Sequence, residues 1–132
     1  MQVIVELRKD MLDIIKASIE HGSADQKIIF KDASDVTLAE IEFQDLVDAG
    51  DAQYMFRSVD DTNILKAVVV TDGRVATFVI SGHDGSDVNP AALTGNVGTL
   101  TSTADIRFNK LDWSEGAGIT ITNLRIYVKQ GT

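Results

Sequence analysis

The stretch "TADIRFNKLDWSEGAGITITNLRIYVKQGT", residues 103–132, decides the fold class. Its side chains alternate in steps of two, the period of a strand with one buried face. After a polar turn the apolar side chains lie first on odd and then on even positions, namely Ile119 and Ile121 followed by Leu124, Ile126 and Val128. A one-residue slip would expose the second set. The pattern predicts a β-bulge or bend near Thr122-Asn123, and a strand that crosses between two sheets would give the same pattern.

The rest of the chain predicts one helix followed by strands. Over residues 3–21 apolar side chains recur at three- and four-residue steps, and Gly22 then stops the helix. Strands are predicted at 27–32, 36–43, 54–59, 103–109 and 118–129, with loops at 45–53 and 60–63 and a polar stretch reaching Gly98. Asp72-Gly73 between two β-branched runs predicts a tight hairpin. These elements predict a mainly β protein. It would be an antiparallel β-sandwich, jelly-roll-like, with one N-terminal amphipathic α-helix, in a single domain over residues 1–132 with the sandwich at 26–130.

Composition excludes several classes of function. Acidic residues outnumber basic ones 20 to 12, giving a net charge of −8. This charge disfavours nucleic acid and an anionic membrane as partners. The absence of cysteine excludes disulfides and a thiolate nucleophile. No apolar run is long enough for a membrane span, and the first residues lack the pattern of a signal peptide, so we expect a protein made in a bacterial cytoplasm without a signal peptide.

No residue cluster predicts a reaction, a metal or a cofactor. The histidines, His21 and His83, lie in different elements. His21 is expected at the helix end, where the helix dipole favours it. The cluster "HDGSDVN" at 83–89 could approach calcium, but its residues are ordinary turn formers. Asp60 and Asp61 are likewise expected to be solvated turn residues. We therefore expect no enzyme activity, although a site formed by His83 with Asp84 or Asp87 stays open as an alternative.

Candidate contact residues are apolar or aromatic. The apolar helix face is a candidate interface between subunits, and its residues are Val3, Leu7, Met11, Ile14 and Ile15. Trp113 either covers the open end of the core or binds a sugar or a protein partner. Tyr127 lies on the outward phase of the last strand beside Arg125, so that face is a second candidate surface.

Several stretches in order resemble a family of small proteins encoded among the virion structural genes of tailed bacteriophages and prophages. They are "MLDIIKASIEHGSADQKIIFKD", "TLAEIEF", "DGRVATFVISGHDG", Val97-Gly98, "TADIRF", "EGAGITI" and "TNLRIYV". The resemblance implies a non-enzymatic, tail-associated virion protein without catalytic residues. It would form a homo-oligomer and pack against other virion proteins. A glycan-binding module that contacts the host surface is the alternative, and it depends on Trp113.

Overall fold

The computed structural model describes residues 13, 16, 17, 19, 26–50, 53–81 and 91–127, with only the backbone at positions 81, 91, 92 and 127. In this part of the chain the fold is mainly β, as predicted. The strands are β1 (Gln26–Lys31), β2 (Thr37–Gly50), β3 (Gln53–Ser58), β4 (Ile64–Val68), β5 (Gly73–Arg74), β6 (Thr77–Ser81), β7 (Ala91–Thr99), β8 (Ile106–Phe108), β9 (Asp112–Trp113), β10 (Gly118–Thr122) and β11 (Arg125–Tyr127).

The described strands form one curled seven-stranded sheet and two short ribbons. The sheet order is β11-β3-β2-β1-β6-β7-β8, and the ribbons are β4–β10 and β5–β9. Pairing is antiparallel except between β7 and β8, so the sheet is mixed. The predicted two-sheet sandwich stays a prediction.

The first hairpin follows directly from local chemistry. In β1 every second side chain is buried, including Ile28 and Phe30. A carboxylate oxygen of Asp32 then accepts hydrogen bonds from the backbone N–H groups of Ser34 (2.8 Å) and Val36 (2.9 Å). Such side-chain capping stabilises a turn and returns the chain as β2.

A change of side-chain phase occurs within β2. Ile41 and Phe43 are buried, and the next buried residue is Leu46. The register with β3 shifts between Phe43 and Asp45, so Gln44 is the extra residue of a β-bulge. The bulge places Leu46 on the inner face, and a second register shift between Asp48 and Gly50 ends the strand. The predicted loop at 45–53 is therefore wrong over most of its length.

The phase change at residues 122–124 is a change of partner strand. Strand β10 pairs with β4, whereas β11 pairs with β3 in the large sheet. Asn123 between them has a left-handed backbone, with φ of 58°. The chain therefore crosses from the ribbon to the sheet here, which is one of the two geometries that the sequence pattern predicted.

One predicted hairpin and one predicted polar connection are wrong. Residues 64–70 and 75–81 do not form a hairpin, because β4 pairs with β10 and β6 pairs with β1 and β7. The segment Ala91–Thr99, predicted as a polar connection, is strand β7. Asp72-Gly73 was the basis of the hairpin prediction, but a Cβ on Gly73 would lie 2.8 Å from Leu38 Cδ2. Close packing on β2 thus accounts for the glycine.

Four residues of the predicted helix are described, and the rest of 3–21 lies outside the described residues. Asp13, Lys16, Ala17 and Ile19 have helical backbone conformation. Ile19 is fully buried in the core. The Tyr54 hydroxyl donates to Asp13, and Lys16 Nζ lies 5.8 Å from the centre of the Tyr54 ring. These residues pack against β3 of their own chain.

The core contains two groups of aromatic rings in edge-to-face contact. The ring centres of Phe43 and Phe56 are 4.9 Å apart. Phe30 lies 5.5 Å from Trp113 and 5.8 Å from Phe108. Such pairs each contribute about 0.5–1.5 kcal/mol beyond the burial of their area. Leu65, Val69 and Ile119 of the β4–β10 ribbon and the segment after β4 are buried in the same core.

Candidate functional site

The predicted interface on the helix lies outside the described residues. This applies to Val3, Leu7, Met11, Ile14 and Ile15. The fully buried Ile19 is the described residue from the same apolar pattern.

Trp113 is a core residue. It is 9% exposed and lies in edge-to-face contact with Phe30 and with Phe108, whose ring centre is 5.2 Å away. Its indole Nε1–H donates to the carbonyl oxygen of Lys110 at 3.0 Å, which satisfies its polar group. A buried ring cannot stack on a sugar, so Trp113 no longer supports the glycan-binding alternative.

Arg125 and Tyr127 lie on β11, an edge strand among the described strands of the large sheet. Arg125 is exposed, and its Nη1 donates to Gln53 Oε1 at 3.1 Å. The backbone of Tyr127 pairs with Gln53. This edge is one side of a groove described below.

An exposed aliphatic stripe runs along the outer side of β4 and of the two residues that follow it. It consists of Ile64, Val68 and Val70, which are 38%, 58% and 59% exposed. The intervening Leu65 and Val69 point into the core, as strand alternation requires. Across the ribbon, Ile64 pairs with Thr122 and Val68 with Gly118, so small side chains flank the stripe. We call these three residues the ribbon stripe.

An open groove of about 770 Å³ lies between the two edge strands β8 and β11. Both edges contribute to its lining, as do the inner faces of β3, β6 and β7. Its apolar lining consists of Phe56, Phe78, Ile80, Leu93, Ile106, Leu124 and Ile126. We call it the edge groove.

Charged residues of the edge groove are two arginines and one aspartate. Arg107 and Arg125 are exposed and line the groove. Arg107 Nε donates to the carbonyl oxygen of Ala104 at 3.2 Å. Asp105 accepts from the backbone N–H of Asn96 at 3.1 Å. Within the described residues neither guanidinium forms an ion pair, so the groove is locally positive on an acidic protein.

An ion pair spans the β2 bulge. Arg57 Nε and Nη2 donate to the two carboxylate oxygens of Asp45 at 2.8 and 2.5 Å. The hydrogen bond with Asp45 is the main cause that raises the pKa of Arg57 above its ordinary value. Because folding raises the pKa of Arg57, protonated Arg57 contributes to stability at ordinary pH. That contribution is lost only in strong alkali, as the pH rises through the raised pKa. The ion pair therefore links β2 to β3 directly beside the bulge.

The acidic and histidine residues considered in the sequence add no further site among the described residues. Asp60 and Asp61 lie in an exposed turn after β3, where the N–H of Asp60 donates to Ser58 Oγ at 3.2 Å. His21 and residues 83–89 lie outside the described residues. Among the residues that the structure does describe, no three His, Asp or Glu side chains are grouped to hold a metal ion. The described part also contains no helix with the length and hydropathy of a membrane span.

Comparison with known proteins gave no match to a protein-family model, to a curated protein or to a solved structure.

Two surfaces were missed from the sequence. The run Val68-Val69-Val70 could have indicated the ribbon stripe, because alternation cannot bury three consecutive valines on one face. Arg107 alternates with the apolar Ile106 and Phe108, but this spacing alone indicates no role for it. No local signal shows that β8 and β11 face one groove, because that depends on how the sheet curls.

Proposed function

We propose that this protein is a non-enzymatic structural component of a tailed phage or prophage virion. In this proposal it is made in the bacterial cytoplasm and works by packing against copies of itself and other virion proteins, and neither nucleic acid nor membrane is a partner. The ordered resemblance to virion proteins supports the role. The observation that carries the mode of action is the ribbon stripe.

The ribbon stripe has the character of a contact surface. Its two valines are more than half exposed and lie two residues apart, Val68 at the end of β4 and Val70 just after it. Exposed apolar side chains that lie next to each other mark interaction sites more often than scattered ones do. The flanking Thr120 and Thr122 are small and uncharged, so a second strand face can approach closely. The charged exception on this face of β4 is Lys66.

The ribbon also bears on the sandwich architecture. Strand β4 lies against β2 and β3, and the N–H of Val70 donates to the carbonyl oxygen of Leu38 at 2.8 Å. Buried Leu65 and Ile119 face the core from the ribbon. We infer that the β4–β10 ribbon is the second layer of a jelly-roll-like sandwich, with the N-terminal helix covering part of the same core.

The first test is the oligomeric state. Light scattering behind a sizing column, at tens of micromolar protein, is expected to give a mass above that of the monomer. Val68→Thr with Val70→Thr keeps shape and strand propensity but adds two hydroxyl groups to the interface. Because burial of a valine side chain stabilises by about 1.5 kcal/mol or more, we expect about a tenfold or greater loss of association.

Val59→Thr is the matched control, because Val59 is 57% exposed but lies in the turn after β3. It should leave the mass unchanged. A monomeric wild-type protein, or equal behaviour of the two variants, would contradict self-association through the ribbon stripe.

The virion role has a separate test. Genes for portal, tail-fibre or baseplate proteins beside this gene, and the protein itself in purified particles by mass spectrometry, are the expected results. Its absence from particles that contain the neighbouring gene products would refute the role.

A further inference from the structure

We propose that the edge groove binds an extended acidic segment of another protein, which adds as a strand between β8 and β11. The proposal concerns a surface separate from the ribbon stripe and does not depend on the virion role.

The first argument is the arrangement of the sheet edges. Among the described strands, β8 pairs with β7 alone and β11 pairs with β3 alone. Both nevertheless line one groove, because the sheet curls and brings its two ends towards each other. An edge strand presents a row of backbone donors and acceptors, and an extended peptide is the ligand that satisfies them.

The second argument is the alternation of the lining. On β8, Ile106 is buried and Arg107 is exposed, and on β11 the exposed Arg125 precedes the half-buried Ile126. A strand laid between these edges would direct every second side chain onto the apolar floor and the others towards the arginines. The fitting segment therefore alternates apolar and acidic residues.

The third argument is charge. Each arginine uses one N–H donor on a neutral oxygen, of Ala104 and Gln53 respectively, and a guanidinium has five. Asp105 offsets part of the positive charge, although one of its oxygens is occupied by the Asn96 N–H. On a chain of net charge −8, two arginines without a carboxylate partner among the described residues select an acidic occupant over a basic one.

The test measures binding of synthetic peptides to the full chain by fluorescence anisotropy. The probe is a fluorescein-labelled octapeptide that alternates valine and glutamate. We expect saturable binding, at least tenfold weaker binding when lysine replaces glutamate, and loss of binding when the peptide nitrogens are N-methylated, because N-methylation removes the donors that pair with an edge.

Variants of the chain assign the site. The double variant R107Q/R125Q should bind the valine–glutamate peptide about three- to tenfold more weakly, as expected for the loss of two partly exposed ion pairs. The double lysine variant at the same positions should recover most of the affinity. Arg74→Gln is the control, because Arg74 is exposed but lies outside the groove. Thermal unfolding of each variant checks that the fold is intact.

Several results would overturn the proposal. These are no anisotropy change at millimolar protein, equal binding of the two peptide charges, or unchanged binding by the double glutamine variant. Binding of dodecanoate without binding of any peptide would assign the groove to a small amphiphile instead. A lower oligomer mass in the double glutamine variant would place a second copy in the groove. Loss of self-association in the ribbon variants alone leaves the groove proposal intact, so the two proposals fail separately.

Discussion

At the scale of single residues, close packing fixes a glycine in the large sheet. Gly95 on β7 pairs with Phe78 on β6. A Cβ on Gly95 would lie 2.5 Å from the Phe78 ring and 2.7 Å from Asp105 Oδ2. The ring therefore covers the glycine, and the same ring forms part of the edge groove.

Gly95→Ala is expected to destabilise the protein by about 1–3 kcal/mol, the usual cost of forcing extra volume into a packed site. Denaturant unfolding followed by tryptophan fluorescence measures the change, since Trp113 is the chain's one tryptophan and lies in the core. Gly118→Ala is the control, because no described heavy atom lies within 4 Å of its added Cβ. Equal stability of the two variants would show that Phe78 does not occupy this position.

At the scale of elements, Asn123 makes the switch between β10 and β11. Its N–H donates to the carbonyl oxygen of Asn63 at 3.0 Å, and the side chains of the same two residues are also hydrogen-bonded. The positive φ is accessible to asparagine and glycine but costs other residues about 1–2 kcal/mol, and β-branched ones most.

Asn123→Val should therefore be less stable than Asn123→Gly by about 1–2 kcal/mol, although glycine also lacks the side-chain hydrogen bond. Chemical denaturation of both variants measures the difference. If valine proved as stable as glycine, the backbone at this position would not be left-handed.

The alternation of apolar and polar side chains predicted those strands that have an apolar inner face and a polar outer face. This holds for β1 and β3, and for the break before Leu124, because water on one side and the core on the other impose a period of two. It failed for β7, whose run of alanine, threonine and glycine has little contrast between faces. The turn signal at Asp72-Gly73 also gave a wrong pairing, because a local signal does not show that β4 pairs with the distant β10. The edge groove depends on such distant pairings and was beyond sequence reasoning for the same reason.

At the scale of the whole molecule, net charge opposes assembly. Copies with a charge of −8 repel each other, whereas the proposed peptide is attracted to two arginines. Salt screens both effects, since the Debye length falls from roughly 20 Å to roughly 4 Å between about 20 mM and about 500 mM.

We therefore expect added sodium chloride to strengthen self-association and to weaken binding of the acidic peptide. Light scattering and anisotropy over one salt series measure the two responses. If added salt changed self-association and peptide binding in the same direction, the same kind of contact would govern both processes.

The pairing of β11 with β3 has a consequence for synthesis. Arg125 and its partner Gln53 are 72 residues apart in the sequence. Strand β3 therefore emerges from the ribosome without its partner on this side and stays so until β11 has been translated. Closing so long a loop is slow, and an open β-strand is prone to stick to other nascent chains. Pairing along this side of β3 thus has to wait for the translation of β11, and a chaperone that shields β3 in the interval is expected to raise the yield of native protein.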